Sequence, residues 1–208
     1  MSGDHSSLPP DATGLAAAIA AINDGQPIVI PTDTVYGLAV RAGDADALDR
    51  VFQMKRRPTE RSIAVLVGDV AQAAEFAHLN KFERRVAAEC WPGALTLVLN
   101  RRADADASIG RDDGTVGVRC PDHSFVRMLA QAVGPLATTS ANLSGEPTPP
   151  AAPDAIASLD GSISVAIEDG LCQGQASTVA RVDHDGDIMV LRQGDLTQRD
   201  LERIVRRC

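Results

Sequence analysis

Apolar positions along this 208-residue chain follow two rhythms. Short continuous runs bounded by proline or glycine read as buried strands: Pro27-Ile-Val-Ile-Pro31, Ile63–Val67 and Ala94–Leu99. Elsewhere apolar residues return every three or four positions. Ala47, Leu48, Val51, Phe52 and Met54 behind Asp44 form one helical face. Asp11 or Thr13 can cap a helix running to Asn23, with Gly25 as its stop. Further helical patterns cover 69–77, 81–90, 123–133, 154–159 and 197–206. Further strands fall at 116–119, 135–138, 163–167, 177–182 and 188–192. Residues 1–10 are polar and end in two prolines, so a flexible, frayed N-terminus is expected. Residues 101–114 read as a polar loop. Residues 139–153, with Pro147, Pro149 and Pro150, read as a long irregular and mobile one. Helices and strands interleave throughout. The pattern predicts an α/β fold with a mixed sheet, in one domain over residues 11–208.

Charge narrows the function classes. The chain carries 20 basic and 28 acidic side chains, a formal net charge of −8. Such a balance excludes a protein that sheathes nucleic acid through many phosphate contacts. No apolar run reaches the length of a membrane span. The apolar stretch 14–22 has no Lys or Arg ahead of it before Arg41, so it lacks the basic flank of a secretory signal. Cys90, Cys120, Cys172 and Cys208 are widely spaced, without a C-x-x-C pair, which predicts reduced thiols and a cytoplasmic location. The four histidines show no ligand spacing and read as surface residues. Phosphate-loop, dinucleotide and nucleophile-elbow motifs are all missing. Asp183–Asp187 looks like the start of a calcium loop, but Gly194 stands where the twelfth-position Glu belongs. A hairpin turn is the reading.

Four segments place polar groups at strand ends, where α/β sheets bind ligands. Thr32-Asp33-Thr34 follows a buried strand and carries two hydroxyls and an acid. Lys55–Arg61 holds four cations and one anion, in a chain with 18 Arg and only 2 Lys. Such a cluster suits phosphates and also complements a helix C-terminus. Thr138, Thr139, Ser140, Asn142 and Ser144 crowd the end of a short strand with small donors and acceptors. Finally, Thr115, Gly117 and Arg119 share one face of a strand, joined by Ser177-Thr178 and Arg192. Arg119 in an apolar strand needs a counter-charge, which a ligand anion or a neighbouring Asp would supply.

Taken in order, the segments PTDTVYGL (31–38), Lys55-x-Arg57, WPGALTLVL (91–99), TVGVR (115–119), TTSANLSGEP (138–147), STV (177–179) and LRQG (191–194) resemble the YrdC family. Within that family they resemble the single-domain threonylcarbamoyl-AMP synthases. The resemblance implies a twisted, open mixed sheet over a concave ligand cavity, with no second C-terminal domain. It also implies a reaction. L-threonine takes up bicarbonate as a carbamate, which attacks the α-phosphate of ATP and expels pyrophosphate. Magnesium accompanies the ATP, and no metal ligand from the protein is identified. Partner proteins then transfer the threonylcarbamoyl group to tRNA. Matching positions assign Lys55, Arg57, Arg61, Thr115, Ser140, Asn142, Thr148 and Arg192 to ATP. Lys55 and Arg57 become the catalytic cations, with Lys55 an exposed pocket cation. Thr32 or Thr34, Arg119, Thr138 and Ser177 fall to threonine, with Arg119 on its carboxylate. A YciO-like RNA-binding relative with little or no synthase activity is the alternative. The YrdC-type domain of HypF comes with C-x-x-C pairs that this chain lacks.

Overall fold

The computed structural model describes residues 6–56, 63–105, 113–172 and 174–206. These contain eleven strands and seven helices. The first half runs β1 (Ser6–Leu8), α1 (Ala12–Asn23), β2 (Ile28–Ile30), β3 (Gly37–Arg41), α2 (Ala45–Met54), β4 (Ala64–Leu66), α3 (Val70–Phe76), β5 (Ala77–His78) and α4 (Lys81–Cys90). The second runs β6 (Leu95–Arg101), β7 (Thr115–Arg119), α5 (Ser124–Val133), β8 (Leu136–Ser140), α6 (Ala152–Ala157), β9 (Val165–Ile167), β10 (Thr178–Val182), β11 (Ile188–Arg192) and α7 (Gln198–Arg206). One mixed sheet takes all the strands, in the order β1-β9-β2-β3-β8-β4-β7-β6-β10-β11, with β5 paired beside β6. The expected α/β class and open mixed sheet are what the structure shows.

Caps set the helix starts. Asp11 accepts from the amides of Thr13 and Gly14 at 2.9 and 3.0 Å, and Gly25 ends α1 at φ +66°. Asp44 caps α2 through the Ala47 amide. The hairpin turn at 183–187 is also present, closed by amides of Asp185 and Asp187 donating to Asp183 Oδ1.

Three differences from the sequence pattern have local causes. Residues 6–8 are not frayed: they pair in parallel with β9 as an edge strand. Gly37–Arg41 is a strand that the pattern does not announce. Both of its faces are covered, so polar alternation is missing. Residues 136–140 stay extended beyond Thr138, because all five pair with β3, Ser140 opposite Gly37.

Strand alternation sorts the core into layers. On one face, α2 and α6 pack on Val29, Leu38, Val40 and Ala137. On the same face, α3, α4 and α7 cover Leu95, Leu97, Leu99, Val116 and Val118. The opposite face is covered over β2, β3 and β9 by α1 and α5, through Ile22, Phe125, Val126 and Leu129. Among the described residues no helix continues this second layer over β7, β6 and β10. That uncovered half of the sheet forms the floor of a cavity.

Candidate active site

The cavity has a volume of about 570 Å³. Its floor is the outward face of β4, β7, β6, β10 and β11, and one wall is the loop after β2. Of the residues singled out from sequence, Thr32, Thr34, Thr115, Arg119, Thr138, Ser140, Thr148, Ser177 and Arg192 all line it. They come from six separate stretches of chain, and the fold brings them to one place.

Arg119 organises one end. Its side chain is 7% exposed, and its Nη2 donates to Asp33 Oδ1 at 2.6 Å. Nε donates to Gly93 O at 3.0 Å and Nη1 to Thr34 Oγ1 at 2.8 Å. The Thr32 hydroxyl donates to Val35 O at 2.6 Å, so the 3.0 Å contact between the two threonine hydroxyls runs from Thr34 to Thr32. A directed chain of donors thus leads from the guanidinium into the turn. The counter-charge that Arg119 required is supplied inside the protein, by Asp33.

Arg192 faces the same end from β11. Its Nε and Nη2 donate to Ser177 O at 3.1 and 2.9 Å, and Nη2 also reaches Ser177 Oγ at 3.1 Å. Ser177 Oγ in turn meets Thr96 Oγ1 at 2.8 Å. No carboxylate pairs with Arg192 among the described residues. Desolvation, then the like charge of Arg119, hold its pKa below the usual arginine value. Arginine stays protonated under such a shift. This end of the cavity therefore holds two guanidiniums and one carboxylate.

Lys55 is not an exposed pocket cation. It is 2% exposed and lies behind the cavity wall. Its ammonium donates to Ser140 O, to Asn142 O at 2.6 Å and to Asn142 Oδ1 at 3.1 Å. Asn142 also lies behind the wall, where its Oδ1 accepts from Ser140 Oγ at 2.6 Å and its amide donates to Glu146 O. Lys55 and Asn142 thus shape the 140–146 backbone and hold Ser140 against the cavity. Arg56 pairs with Asp160 at the surface. Arg57 and Arg61 lie outside the described residues.

Other contributors are legible only in three dimensions. Asp33 was visible as the acid between two threonines, but its role as counter-ion was not. Thr96 interrupts the run Leu95–Leu99 on the face opposite its apolar neighbours. Met189 and Leu191, 62% and 54% exposed, put apolar surface on the far wall. Thr115 is held by Asp113, which accepts from its amide and hydroxyl at 3.0 and 2.6 Å. His123 is half-buried rather than at the surface, with Nε2 3.1 Å from Asp169. Among the described residues no group of three His, Cys, Asp or Glu is placed to hold a metal ion. Cys90, Cys120 and Cys172 are free thiols. No helix among these residues is long and apolar enough to cross a membrane.

The family model for Sua5, YciO and YrdC proteins, described as "Telomere recombination", matches residues 20–194. The chain belongs to the Sua5/YciO/YrdC family. A relative in Bacillus subtilis, named threonylcarbamoyl-AMP synthase, is 32% identical over 92% of this chain. This chain spans 56% of that protein. A Mycobacterium tuberculosis relative, named putative threonylcarbamoyl-AMP synthase, is 33% identical and is covered over 89% of its length. Among solved structures, P. abyssi Sua5 complexed with L-threonine superimposes with a TM-score of 0.85 at 30% identity, over 92% of this chain and 57% of that one. E. coli YciO superimposes at 0.82 with 22% identity, over 97% of this chain and all of that one, which shows a shared Sua5/YciO/YrdC fold.

Proposed function

We propose that this chain makes threonylcarbamoyl-AMP from L-threonine, bicarbonate and ATP. One observation carries the reading: Arg192, with no carboxylate partner among the described residues, faces the same cavity end as the Asp33-paired Arg119, amid the hydroxyls of Thr32, Thr34, Thr96 and Ser177. That end carries a net positive charge in a chain of net −8. It suits a small anion bearing hydroxyl and amino groups. The names of the bacterial relatives, and the threonine complex of the archaeal one, support the same reading.

In this reaction threonine nitrogen adds to bicarbonate with loss of water. A carbamate oxygen then attacks the α-phosphorus, and the bond to the β-phosphate breaks as pyrophosphate leaves. No covalent enzyme intermediate is needed. The protein supplies position and fixed charge. Arg119 and the Thr32–Thr34 turn orient the amino acid together with Thr138 and Ser177. Thr115, Ser140 and Thr148 hold the nucleotide, and Arg192 meets its phosphate from the amino-acid end. Lys55 and Asn142 act through Ser140, and the family resemblance assigns Arg57 and Arg61 to the phosphates. Magnesium would accompany the ATP, because phosphate oxygens and water are its usual ligands. Partner proteins pass the product to tRNA, and the free thiols suit a cytoplasmic setting.

The test is pyrophosphate release in ATP, magnesium, bicarbonate and threonine. Release that requires both threonine and bicarbonate is the expected result. Absence of release overturns the reading and favours a YciO-like, non-synthase member.

A further inference from the structure

The chain has 17 glycines, of which Gly3 and Gly110 lie outside the described residues. Eight of the others have positive φ, so the backbone itself requires them. Six more would drive a Cβ within 3.0 Å of the chain's own atoms, as at Gly194 against Ala176 O (2.4 Å) and Gly37 against Thr138 Cγ2 (2.7 Å). Gly117 is the one that remains. Its φ is not positive, and a Cβ there would meet only Thr96 Cγ2, at 3.3 Å. Glycine inside a strand costs stability and often marks a close approach by a ligand. Within the fold, that one tight contact with a threonine methyl group is what speaks for glycine here.

The position supplies a further reason. Gly117 lines the cavity in the middle of β7. Thr115 and Arg119 flank it on the same face, each about 7 Å away along the strand. Val98 of β6 and Ala64 of β4 sit directly beside it in register. On the reading above, the nucleotide lies toward Thr115 and the amino acid toward Arg119. Gly117 is then beneath their junction. We propose that Gly117 is a positioning residue: its missing side chain lets the carbamate and the α-phosphate meet against bare strand backbone. This inference rests on the synthase reading.

Gly117→Ala separates a ligand-facing role from a structural one. The new Cβ lies a tight 3.3 Å from Thr96 Cγ2, so the melting temperature is read where that methyl group is absent, and there alanine should melt at or above glycine. Its kcat for pyrophosphate release should fall about 10–100-fold, the effect of displacing reactants by a fraction of an ångström to one ångström. The second variant, Gly117→Ala with Thr96→Ser, is measured against Thr96→Ser alone. Removing the methyl group 3.3 Å from the new Cβ relieves any crowding within the protein. Under the proposal the double variant stays slow. Activity within about twofold of wild type in Gly117→Ala overturns the proposal, as does recovery in the double variant or a melting temperature of the double variant below that of Thr96→Ser alone. An inactive wild type would instead sink the synthase reading. With an active wild type, calorimetric titration of ATP into it and into Gly117→Val gives a second readout of this inference. Binding weakened more than about tenfold, with melting temperature kept, supports it; equal affinity overturns it.

Discussion

Lys55 shows what a single residue discloses in sequence and what it hides. Its rarity in an arginine-rich chain was readable, and it pointed to a special role. The direction of its ammonium was not readable, because its acceptors Ser140 and Asn142 lie 85 and 87 positions away. Burial changes the expected behaviour of a variant. An exposed cation could be removed without harm to the fold, whereas Lys55→Ala leaves buried carbonyls without a donor. Each such loss costs about 1–3 kcal/mol. Urea denaturation of Lys55→Ala should therefore show reduced stability, and activity should fall with it as Ser140 loses its support. Arg119 was half legible in the same way. The need for a counter-charge followed from an arginine in an apolar strand, but only the fold chooses Asp33 to meet it.

Elements were most legible where a cap or a rhythm marks them. In α4, Asn80 and Glu83 form a capping box: Asn80 Oδ1 accepts from the amides of Phe82 and Glu83, and Glu83 Oε2 accepts from the Asn80 amide at 2.6 Å. The box buries the Glu83 carboxyl. Desolvation raises its pKa above 4.5 and outweighs the stabilising amide. A folded-state pKa above the unfolded one means that this group's contribution is fully present below pH 4.5 and is lost as pH rises through the folded value. Glu83→Gln keeps an acceptor at the same position without the buried charge. It should melt at or above the wild-type temperature at pH 7, with the difference shrinking as the pH approaches 4.5; thermal melts across that range check it. Strand β3 was illegible for the opposite reason. Apolar residues on both faces leave no alternation to read, and a strand of that kind is known by its neighbours.

At the scale of the whole molecule, the site exists because one helix layer covers only half a sheet face. Sequence placed the polar residues at strand ends, but could not say which half stays bare. Elsewhere the thiols differ in cover: Cys120 is buried, and Cys90 and Cys172 are partly covered. Burial pushes Cys90 and Cys120 up to about 11, and raises Cys172 as well. Neutral pH then leaves almost no thiolate to react. In a Cys208→Ser background, iodoacetamide at pH 7.5 should label Cys120 only as fast as the protein opens, and promptly in urea; mass spectrometry of the timed reaction reads both rates. The order of strands across the sheet carries one more consequence. Thr32 follows β2, while Ser177 immediately precedes β10 and Arg192 ends β11, so no stretch of sequence contains the site in miniature. During synthesis on the ribosome, a growing chain would possess helices, a partial sheet and most of its hydroxyls before it possessed the complete cavity. The whole site is thus a property of the finished chain.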